Sequence, residues 1–189
     1  MATIRSFIAI NLPAPAKRSL AAASVLWSGL DSKVKLVQPN QFHLTLAFLG
    51  SVAKIELPKI AEATAKEIAD LPPFSVEITG FGGFPNLHRA RVVWLGVGAG
   101  EPILQQLYQR VWTALTQLGF RTAEEYHPHL TVARIKRDQD PLDITKLGSD
   151  LQTKKWLQFP VTEVSLMQSD LSRKGAIYTE LLALPLSGK

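Results

Sequence analysis

The sequence predicts an α+β fold of antiparallel or mixed sheets, in which two related lobes face each other. Predicted strands and helices alternate irregularly, and several strands follow one another directly, which is typical of antiparallel sheets. The order helix, strand, strand occurs near the start of the chain and again after residue 101. A six-residue motif is also repeated, as HLTLAF at 43–48 and HLTVAR at 129–134. We therefore expect a single domain, residues 1–189, whose two lobes share one core.

The first third of the chain predicts a strand, a helix and two further strands. Residues 4–11 (IRSFIAIN) are β-prone, and Pro13 can open a helix because the first helical turn needs no N–H from it. The helix is expected to run to about Leu30, since apolar residues recur at spacings of three and four. Those residues are Leu20, Ala23, Trp27 and Leu30. Strands follow at 34–37 and 43–49, separated by a turn that contains a proline.

The later elements continue the irregular alternation. Helices are predicted at about 55–70 and at 101–118, with a short helix near 141–151. Strands are predicted at 74–80, 91–97, 129–135, 160–167 and 177–184. The segment FGGFPNLHR, which follows the first of these strands, is predicted to be irregular.

The composition indicates a globular protein. Hydrophobic residues make up 46% of the chain and charged residues 20%, which allows a core and is unlike a disordered sequence. No apolar run approaches the roughly 20 residues that span a bilayer, and the first residues do not resemble a signal peptide. There is no cysteine, so disulfide and thiolate chemistry is excluded. We expect a cytoplasmic protein without a membrane segment.

The charge balance is moderately basic. There are 21 Lys and Arg against 16 Asp and Glu, a formal net charge of +5. The basic residues come in scattered pairs, such as Arg89 with Arg91 and Lys136 with Arg137. Such scatter is typical of a solvated surface and also suits a groove that binds a phosphate backbone. The charge alone does not distinguish these two interpretations.

The repeated motif places the same polar side chains on one face of two strands. Successive side chains of a strand alternate, so His43 points with Thr45, and His129 with Thr131, while the apolar residues between them face the core. If the lobes pair these strands across a cleft, two imidazoles and two hydroxyls meet there without a carboxylate from either motif. Two histidines can act as general acid and base in one step, and threonines can donate to phosphate oxygens. A phosphodiester fits these parts.

Two other interpretations remain open. His127 could join His129 and His43 in a metal-dependent phosphohydrolase, although Pro128 interrupts the pair. An RNA-end binding module could use the histidines only for hydrogen bonds, although binding alone more naturally uses arginine and lysine. Neither motif contains Asp or Glu, which argues against a Mg²⁺ site, and GFGG at 80–83 does not match a nucleotide-triphosphate loop.

The two motif copies differ in chemistry at their last position, where Phe48 corresponds to Arg134. In ideal strands both side chains would face the core, which arginine does not tolerate. We therefore expect the second strand to twist, bulge or end before Arg134, so that its side chain reaches the cleft. If an approximate two-fold axis relates the lobes, Phe48 reaches the opposite rim, and the two side chains form a nucleobase-binding sandwich. The alternative is that Phe48 is a core residue.

The motif pair resembles the two HxTx motifs of the two-histidine phosphoesterase superfamily, and within it the RNA 2′,3′-cyclic phosphodiesterase or 2′-5′ RNA ligase (LigT-like) family. The resemblance extends along nearly the whole chain. It is carried by RSFIAINLP at 5–13, QPNQFHLTLAFLG at 38–50, GFGGFPN at 80–86, RVVWLGV at 91–97, HPHLTVAR at 127–134 and VSLMQSDLSRKGAIYTEL at 164–181. The two histidine motifs are short but jointly specific.

The resemblance implies a bilobal α+β fold of two antiparallel sheets, with flanking helices, around a positively charged central cleft. It implies metal-independent hydrolysis of RNA ends or tRNA fragments that carry a 2′,3′-cyclic phosphate, giving 2′-phosphate ends, with reverse 2′-5′ ligation as a second activity. By this analogy His43 is the proton donor and His129 the proton acceptor, while Thr45 and Thr131 bind the phosphate. No cofactor, metal or obligate protein partner is implied, and the role of His127 stays open.

Overall fold

Two antiparallel sheets form the framework of the molecule in the computed structural model, which describes residues 2–23, 33–121, 125–147, 149–172 and 175–188. The strands are β1 (Thr3–Asn11), β2 (Val34–Leu36), β3 (His43–Ala53), β4 (Phe74–Phe84), β5 (Val92–Val97), β6 (His129–Ile135), β7 (Lys155–Val161), β8 (Glu163–Ser172) and β9 (Gly175–Pro185). The α-helices of the described residues are α1 (Ala14–Ala23), α2 (Leu57–Ile68) and α3 (Glu101–Gln117). None of these helices is long and apolar enough to cross a membrane.

The strand order explains how the chain builds two lobes. One sheet has the order β3-β1-β8-β9 and the other the order β2-β6-β5-β4-β7. All strand pairs in both sheets are antiparallel. The predicted α+β fold of two antiparallel sheets is therefore confirmed. Neither sheet is a contiguous part of the sequence, because β1 from the start of the chain pairs with β8 near its end, and most of the middle strands form the second sheet.

Most predicted elements agree with the structure. The strands predicted from residues 4, 34, 43, 91, 129 and 177 and the helices predicted at 55–70 and 101–118 are present, with ends that differ by a few residues. The helix predicted from Pro13 to Leu30 is confirmed as far as Ala23. The rest of it lies outside the described residues.

The strand predicted at 160–167 is wrong, because it joins the end of β7 to the start of β8. The chain leaves the five-stranded sheet at Thr162 and enters the four-stranded sheet at the next residue. Val161 and Val164 are both buried, at 1% and 0% exposure. A spacing of three cannot keep two residues on one face of a regular strand, so this change of phase is the sequence signal of the break.

Two segments predicted to be irregular or helical also differ. β4 continues through the glycine-rich FGGF and ends at Phe84. Within this segment Gly82 pairs with Trp94 of β5. The short helix predicted near 141–151 is replaced by two 3₁₀ turns, Thr145–Leu147 and Ser149–Gln152. The Asp143 carboxylate accepts hydrogen bonds from the backbone N–H (3.0 Å) and the hydroxyl (2.6 Å) of Thr145. Such local side-chain bonds favour a turn over an α-helix.

One core joins the two sheets. A single cluster of buried apolar side chains contains Leu44 and Leu46 of β3 together with Leu130 and Val132 of β6. The apolar faces of both motif strands therefore lie in the same core, as their alternation predicted. Their His and Thr side chains are left on the opposite faces.

Candidate active site

The cleft between the two sheets contains both copies of the repeated motif. It has a volume of about 800 Å³ and is lined by residues of both sheets. His43 and Thr45 from β3 reach it from one side, and His129 and Thr131 from β6 reach it from the other. Residues that lie 86 positions apart in the sequence (129 − 43) thus share one solvent-accessible site.

The lining of this cleft is cationic. The charged residues that line it are Arg5, Lys35, Arg134 and Arg137. No Asp or Glu of the described part of the chain is among the lining residues. A cleft with several cations and without carboxylates attracts anions and repels cations.

His43 is held by the 3₁₀ turn Pro39–Gln41, which precedes its strand, and by aromatic neighbours. Its Nδ1 donates a hydrogen bond to the carbonyl oxygen of Gln41, 2.7 Å away, which places the proton of the neutral ring on Nδ1. The ring lies 5.0 Å from the ring of Phe7 and 5.1 Å, edge to face, from that of Tyr178, measured between centroids. These contacts orient the imidazole and leave Nε2 for a ligand in the cleft.

His129 has the same arrangement in the other sheet. Its Nδ1 donates to the carbonyl oxygen of His127, also at 2.7 Å. The ring of Phe84 lies edge to face with it at 4.9 Å, and the indole of Trp94 is tilted against it at 6.2 Å. The indole lies directly over Gly82, where a Cβ atom would come within 2.3 Å of it, so glycine is needed there. Both histidines therefore present Nε2 to the cleft.

Both histidines bind protons weakly in the free protein. The pKa of His43 is lowered to about 4, chiefly because the ring is buried. The hydrogen bond to Gln41 opposes this shift, and electrostatic interaction with Arg134, His129 and Lys17 adds to it. Burial also lowers the pKa of His129, against the effect of its hydrogen bond to the His127 carbonyl. Near pH 7 both imidazoles are therefore neutral before a ligand binds.

His127 lies outside this pair. Its ring is exposed and packs edge to face on Trp94, 4.9 Å away between centroids, while its backbone carbonyl orients His129. Over the described ranges of the chain, no three His, Cys, Asp or Glu side chains are placed so that they could hold a metal ion. The metal-ligand set of His43, His127 and His129 considered from the sequence is therefore not formed.

A β-bulge interrupts the motif in β3. β1 pairs Ile8 with Ala47 and Ala9 with Thr45, so Leu46 is the extra residue. The indole N–H of Trp112, on α3, donates to the Leu46 carbonyl at 3.2 Å. This bond satisfies the carbonyl of Leu46, which the bulge leaves without a partner in the sheet.

The same bulge occurs at the same position of the motif in β6. β5 pairs Val93 with Ala133 and Trp94 with Thr131, which leaves Val132 as the extra residue. The carbonyl of Val132 accepts a hydrogen bond of 2.9 Å from the backbone N–H of Val37. The repeated motif therefore encodes a shared backbone irregularity as well as shared side chains.

The bulges decide where the last motif residue points. Each bulge buries two consecutive residues and then reverses the alternation, so Phe48 and Arg134 leave the core face and line the cleft. Phe48 is 66% exposed. The prediction of a bulge before Arg134 is confirmed, and the alternative that Phe48 belongs to the core is wrong.

Several cleft residues were not predicted. Gln41 orients His43 through its backbone, and its side-chain amide donates to the carbonyl of Ala176 on β9. Tyr178 and Lys35 also line the cleft. Gln41 and Tyr178 lie in segments that carry the family resemblance, but the resemblance assigned neither of them a role. Lys35 pairs with Arg134 in the sheet, but this strand pairing cannot be read from a single sequence.

Comparison with known protein families assigns this fold and this site to one superfamily. The family model described as the 2′-5′ RNA ligase superfamily matches residues 15–173. The chain belongs to this superfamily. Among its relatives, a protein of Methanothermobacter thermautotrophicus named RNA 2′,3′-cyclic phosphodiesterase is 33% identical over 178 residues, covering 94% of this chain and 96% of the relative. The protein of that name from Archaeoglobus fulgidus is 34% identical, covering 94% and 98%.

Solved structures show the same architecture. A crystal structure of a Thermus thermophilus protein superposes with a TM-score of 0.81 and 27% identity, covering 98% of this chain and 100% of that one. Escherichia coli LigT complexed with 3′-AMP gives a TM-score of 0.78 and 26% identity, covering 98% and 99%. The bilobal arrangement of this chain is therefore shared with structurally characterised proteins along almost its full length.

Proposed function

We propose that this protein hydrolyses RNA ends, including those of tRNA fragments, that carry a 2′,3′-cyclic phosphate, and leaves a 2′-phosphate. The observation that carries the proposal is the convergence of two His-x-Thr pairs, one from each sheet, on a cationic cleft without lining carboxylates. The names of the relatives support it, since several are called RNA 2′,3′-cyclic phosphodiesterase. Crystal structures of LigT with phosphate and with 3′-AMP add a phosphate and a nucleotide bound to a protein of this fold.

The proposed reaction needs one base and one acid. Nε2 of His129 takes a proton from water as the water oxygen attacks phosphorus. The bond between phosphorus and the 3′ oxygen breaks, and Nε2–H of His43 gives its proton to that oxygen, so the 2′ ester is kept. Afterwards His129 carries the proton and His43 is neutral, and exchange with solvent restores the starting state. When a 5′-hydroxyl replaces water as the nucleophile, the same proton transfers form a 2′-5′ linkage, and the 3′ oxygen again leaves as a hydroxyl.

The threonines and cations stabilise the charge that develops on the phosphate. The hydroxyls of Thr45 and Thr131 lie on the same strand faces as the histidines, and they donate to the non-bridging oxygens. Donors that are fixed by strands need no rearrangement when the negative charge increases in the transition state. In this proposal the protein's own side chains supply both the proton transfers and the charge stabilisation.

The donor role of His43 requires a proton that the free protein holds weakly. At pH 7 a group with a pKa of about 4 is almost entirely neutral. An anionic phosphodiester next to the ring favours its charged form and raises that pKa. Substrate binding therefore charges His43, while His129, which starts neutral, is ready to act as the base.

We expect the pH profiles to show this coupling. As the pH rises through the pKa of free His43, its protonated form is lost, so kcat/KM is expected to be maximal below pH 6.5. The alkaline limb of kcat is expected at a higher pH, because it reports the bound state. NMR titration with an unreactive nucleoside 2′-phosphate should raise the pKa of His43. The exposed His88, paired with Asp143 at 3.3 Å, is the internal control.

Two results would contradict this assignment. If the ligand raises the pKa of His129 and leaves that of His43 unchanged, the acid and base roles are exchanged. If the limbs of kcat and kcat/KM coincide, substrate binding does not charge either histidine.

Incubation with adenosine 2′,3′-cyclic phosphate, followed by chromatography of the product, tests the proposed function directly. The expected product is adenosine 2′-phosphate, because the 3′ oxygen is the leaving group. We expect the same product and a similar rate in the presence of EDTA, since both proton transfers are assigned to side chains. Loss of activity in EDTA and recovery with Zn²⁺ or Mn²⁺ would support the metal-dependent alternative. Binding without any turnover would support the RNA-end binding module.

A further inference from the structure

A second depression continues the cleft beyond Arg134. It has a volume of about 560 Å³ and is lined by Arg91, Val92, Arg134, Ile135 and Arg137. Three of these residues, Val92, Arg134 and Arg137, also line the main cleft, so the two spaces are continuous. We call this depression the arginine pocket. It lies at the end of the five-stranded sheet where β5 begins and β6 ends.

The arginine pocket is held by the backbone. The N–H of Ile135 donates to the carbonyl of Arg91 at 3.0 Å, which joins the two strands. A turn follows β6, closed by a 3.1 Å bond from the N–H of Gln139 to the carbonyl of Lys136. The Arg91 guanidinium donates to the carbonyl of Gln139 at 2.5 Å. Arg91 is therefore fixed against the turn that carries Arg137. Its side chain loses little further conformational freedom when a ligand binds.

The chemistry of the arginine pocket selects an anion with several oxygens. Three guanidinium groups line it, and no Asp or Glu of the described residues does. Asp138 and Asp140 follow in the same loop but are not part of its lining. Guanidinium groups present pairs of N–H donors whose spacing matches the oxygens of a phosphate. The pocket thus has the donors for a phosphate group and is contiguous with a cleft proposed to bind a cyclic phosphate.

The stereochemistry of ribose predicts which phosphate reaches it. The 2′ and 3′ oxygens leave one face of the ribose ring, whereas the base and C5′ leave the other. If the cyclic phosphate lies between His43 and His129 and the base lies against Arg134, then C5′ is on the side of the base. The chain that precedes the terminal nucleotide therefore leaves on the side of the base, where the arginine pocket adjoins Arg134.

From this geometry we propose that Arg91 and Arg137 bind the phosphate on the 5′ side of the terminal nucleotide. The substrate is then an oligoribonucleotide end, and a nucleoside 2′,3′-cyclic phosphate occupies only part of the site. This inference rests on the proposed function, because it takes the cyclic phosphate to lie at the two histidines. It adds the direction in which the RNA chain leaves the cleft.

The test compares three substrates that differ only on the 5′ side. These are adenosine 2′,3′-cyclic phosphate, its 5′-phosphorylated form, and the dinucleotide ApA ending in a 2′,3′-cyclic phosphate. With two charge-assisted contacts, we expect kcat/KM to be about 10- to 100-fold higher for the last two. Arg91→Gln, at a residue that lines only the arginine pocket, is expected to weaken this preference and to leave turnover of the unphosphorylated nucleoside substrate unchanged. The double variant Arg91→Gln/Arg137→Gln is expected to remove the preference.

A matched control separates a specific contact from general electrostatics. Arg89→Gln/Arg18→Gln removes the same charge from two exposed arginines that line neither cavity, and we expect it to keep the preference. The salt dependence is a second readout. The slope of log(kcat/KM) against log[salt] should be steeper by about 0.7 for each phosphate contacted, and this increment should disappear in the pocket variant but remain in the control.

The outcomes distinguish the pocket from the catalytic proposal. If none of the three substrates is turned over, the proposed function fails, and calorimetry still tests the pocket by comparing adenosine 2′,5′-bisphosphate with adenosine 2′-phosphate. Equal affinities there, or equal kcat/KM for the three substrates, would overturn the inference. It would also be overturned if the preference survived in Arg91→Gln/Arg137→Gln but was lost in Arg5→Gln, because the chain would then leave from the Arg5 end of the cleft.

Discussion

Replacement of His43 or His129 by asparagine is expected to lower kcat by about 10²- to 10⁴-fold and to leave the fold intact. Asparagine places an N–H close to the position of Nδ1, so the hydrogen bond to the carbonyl of Gln41 or His127 can be kept. It has no counterpart of Nε2, the atom that we propose transfers the proton. His→Ala at either position should lose at least as much activity. Single-turnover kinetics with adenosine 2′,3′-cyclic phosphate measures the effect, and thermal unfolding checks the fold.

The two losses are not expected to add. Because we propose that both histidines act in one step, the double variant should be little less active than the less active of the two single variants. His127→Ala is the control, since the hydrogen bond that orients His129 comes from the backbone carbonyl of His127, which an alanine keeps. Near-normal turnover in either asparagine variant would refute the paired-histidine mechanism, and full inactivation by His127→Ala would add the His127 ring to the site.

Phe48→Ala and Arg134→Ala are each expected to raise KM for a cyclic mononucleotide more than they lower kcat, by about 1–3 kcal/mol of stacking energy. Both side chains line the cleft after the bulges of β3 and β6, one aromatic and one a planar cation. A base held between them is bound through its π face, which all bases have. We therefore expect similar losses for adenosine and uridine substrates, measured as KM and kcat for each.

The structure supplies controls for this second prediction. Phe48 is 66% exposed, so its truncation leaves no cavity in the core and should not unfold the protein. Ile55→Ala removes another exposed apolar side chain, 78% exposed and outside the cleft, and should leave KM unchanged. Arg134→Lys should recover only part of the loss, because an ammonium group does not stack as a plane. An unchanged KM in Arg134→Ala would exclude the sandwich without affecting the roles of the histidines.

The bulges mark the boundary of what alternation could predict. Strict alternation places His43 and Thr45 correctly and places Phe48 on the wrong face, because Leu46 is an extra residue in the ladder. A trace of the bulge is present in the sequence, since two consecutive apolar residues precede both Phe48 and Arg134. The unfavourable burial of an arginine was enough to predict the irregularity in β6. Phenylalanine at the same position carried no such penalty, so its place at the cleft rim was predicted only from the assumed two-fold relation between the lobes, with a core position as the alternative.

The orientation of the two histidine rings could not be predicted from the sequence, for another reason. Each imidazole is fixed by a backbone carbonyl two residues earlier, and a backbone group has no signature in the residue type. The aromatic neighbours of His43 come from β1 and β9, and those of His129 come from β4 and β5. Which strands lie beside a motif depends on sheet order, and many orders are compatible with the same local patterns.

The types of most elements and the face shared by His and Thr in each motif could be predicted from the sequence, and the repeat led to the expectation that both motifs meet in one site. These properties follow from local periodicity and from the chemistry of a repeated residue pattern. Three features required the tertiary structure: the strands from both ends of the chain build one sheet, Phe48 lines the cleft rather than the core, and Arg91 and Arg137 line one pocket beside it. Each of these depends on which distant strands pair and in what register, and that choice is made by the packing of the common core.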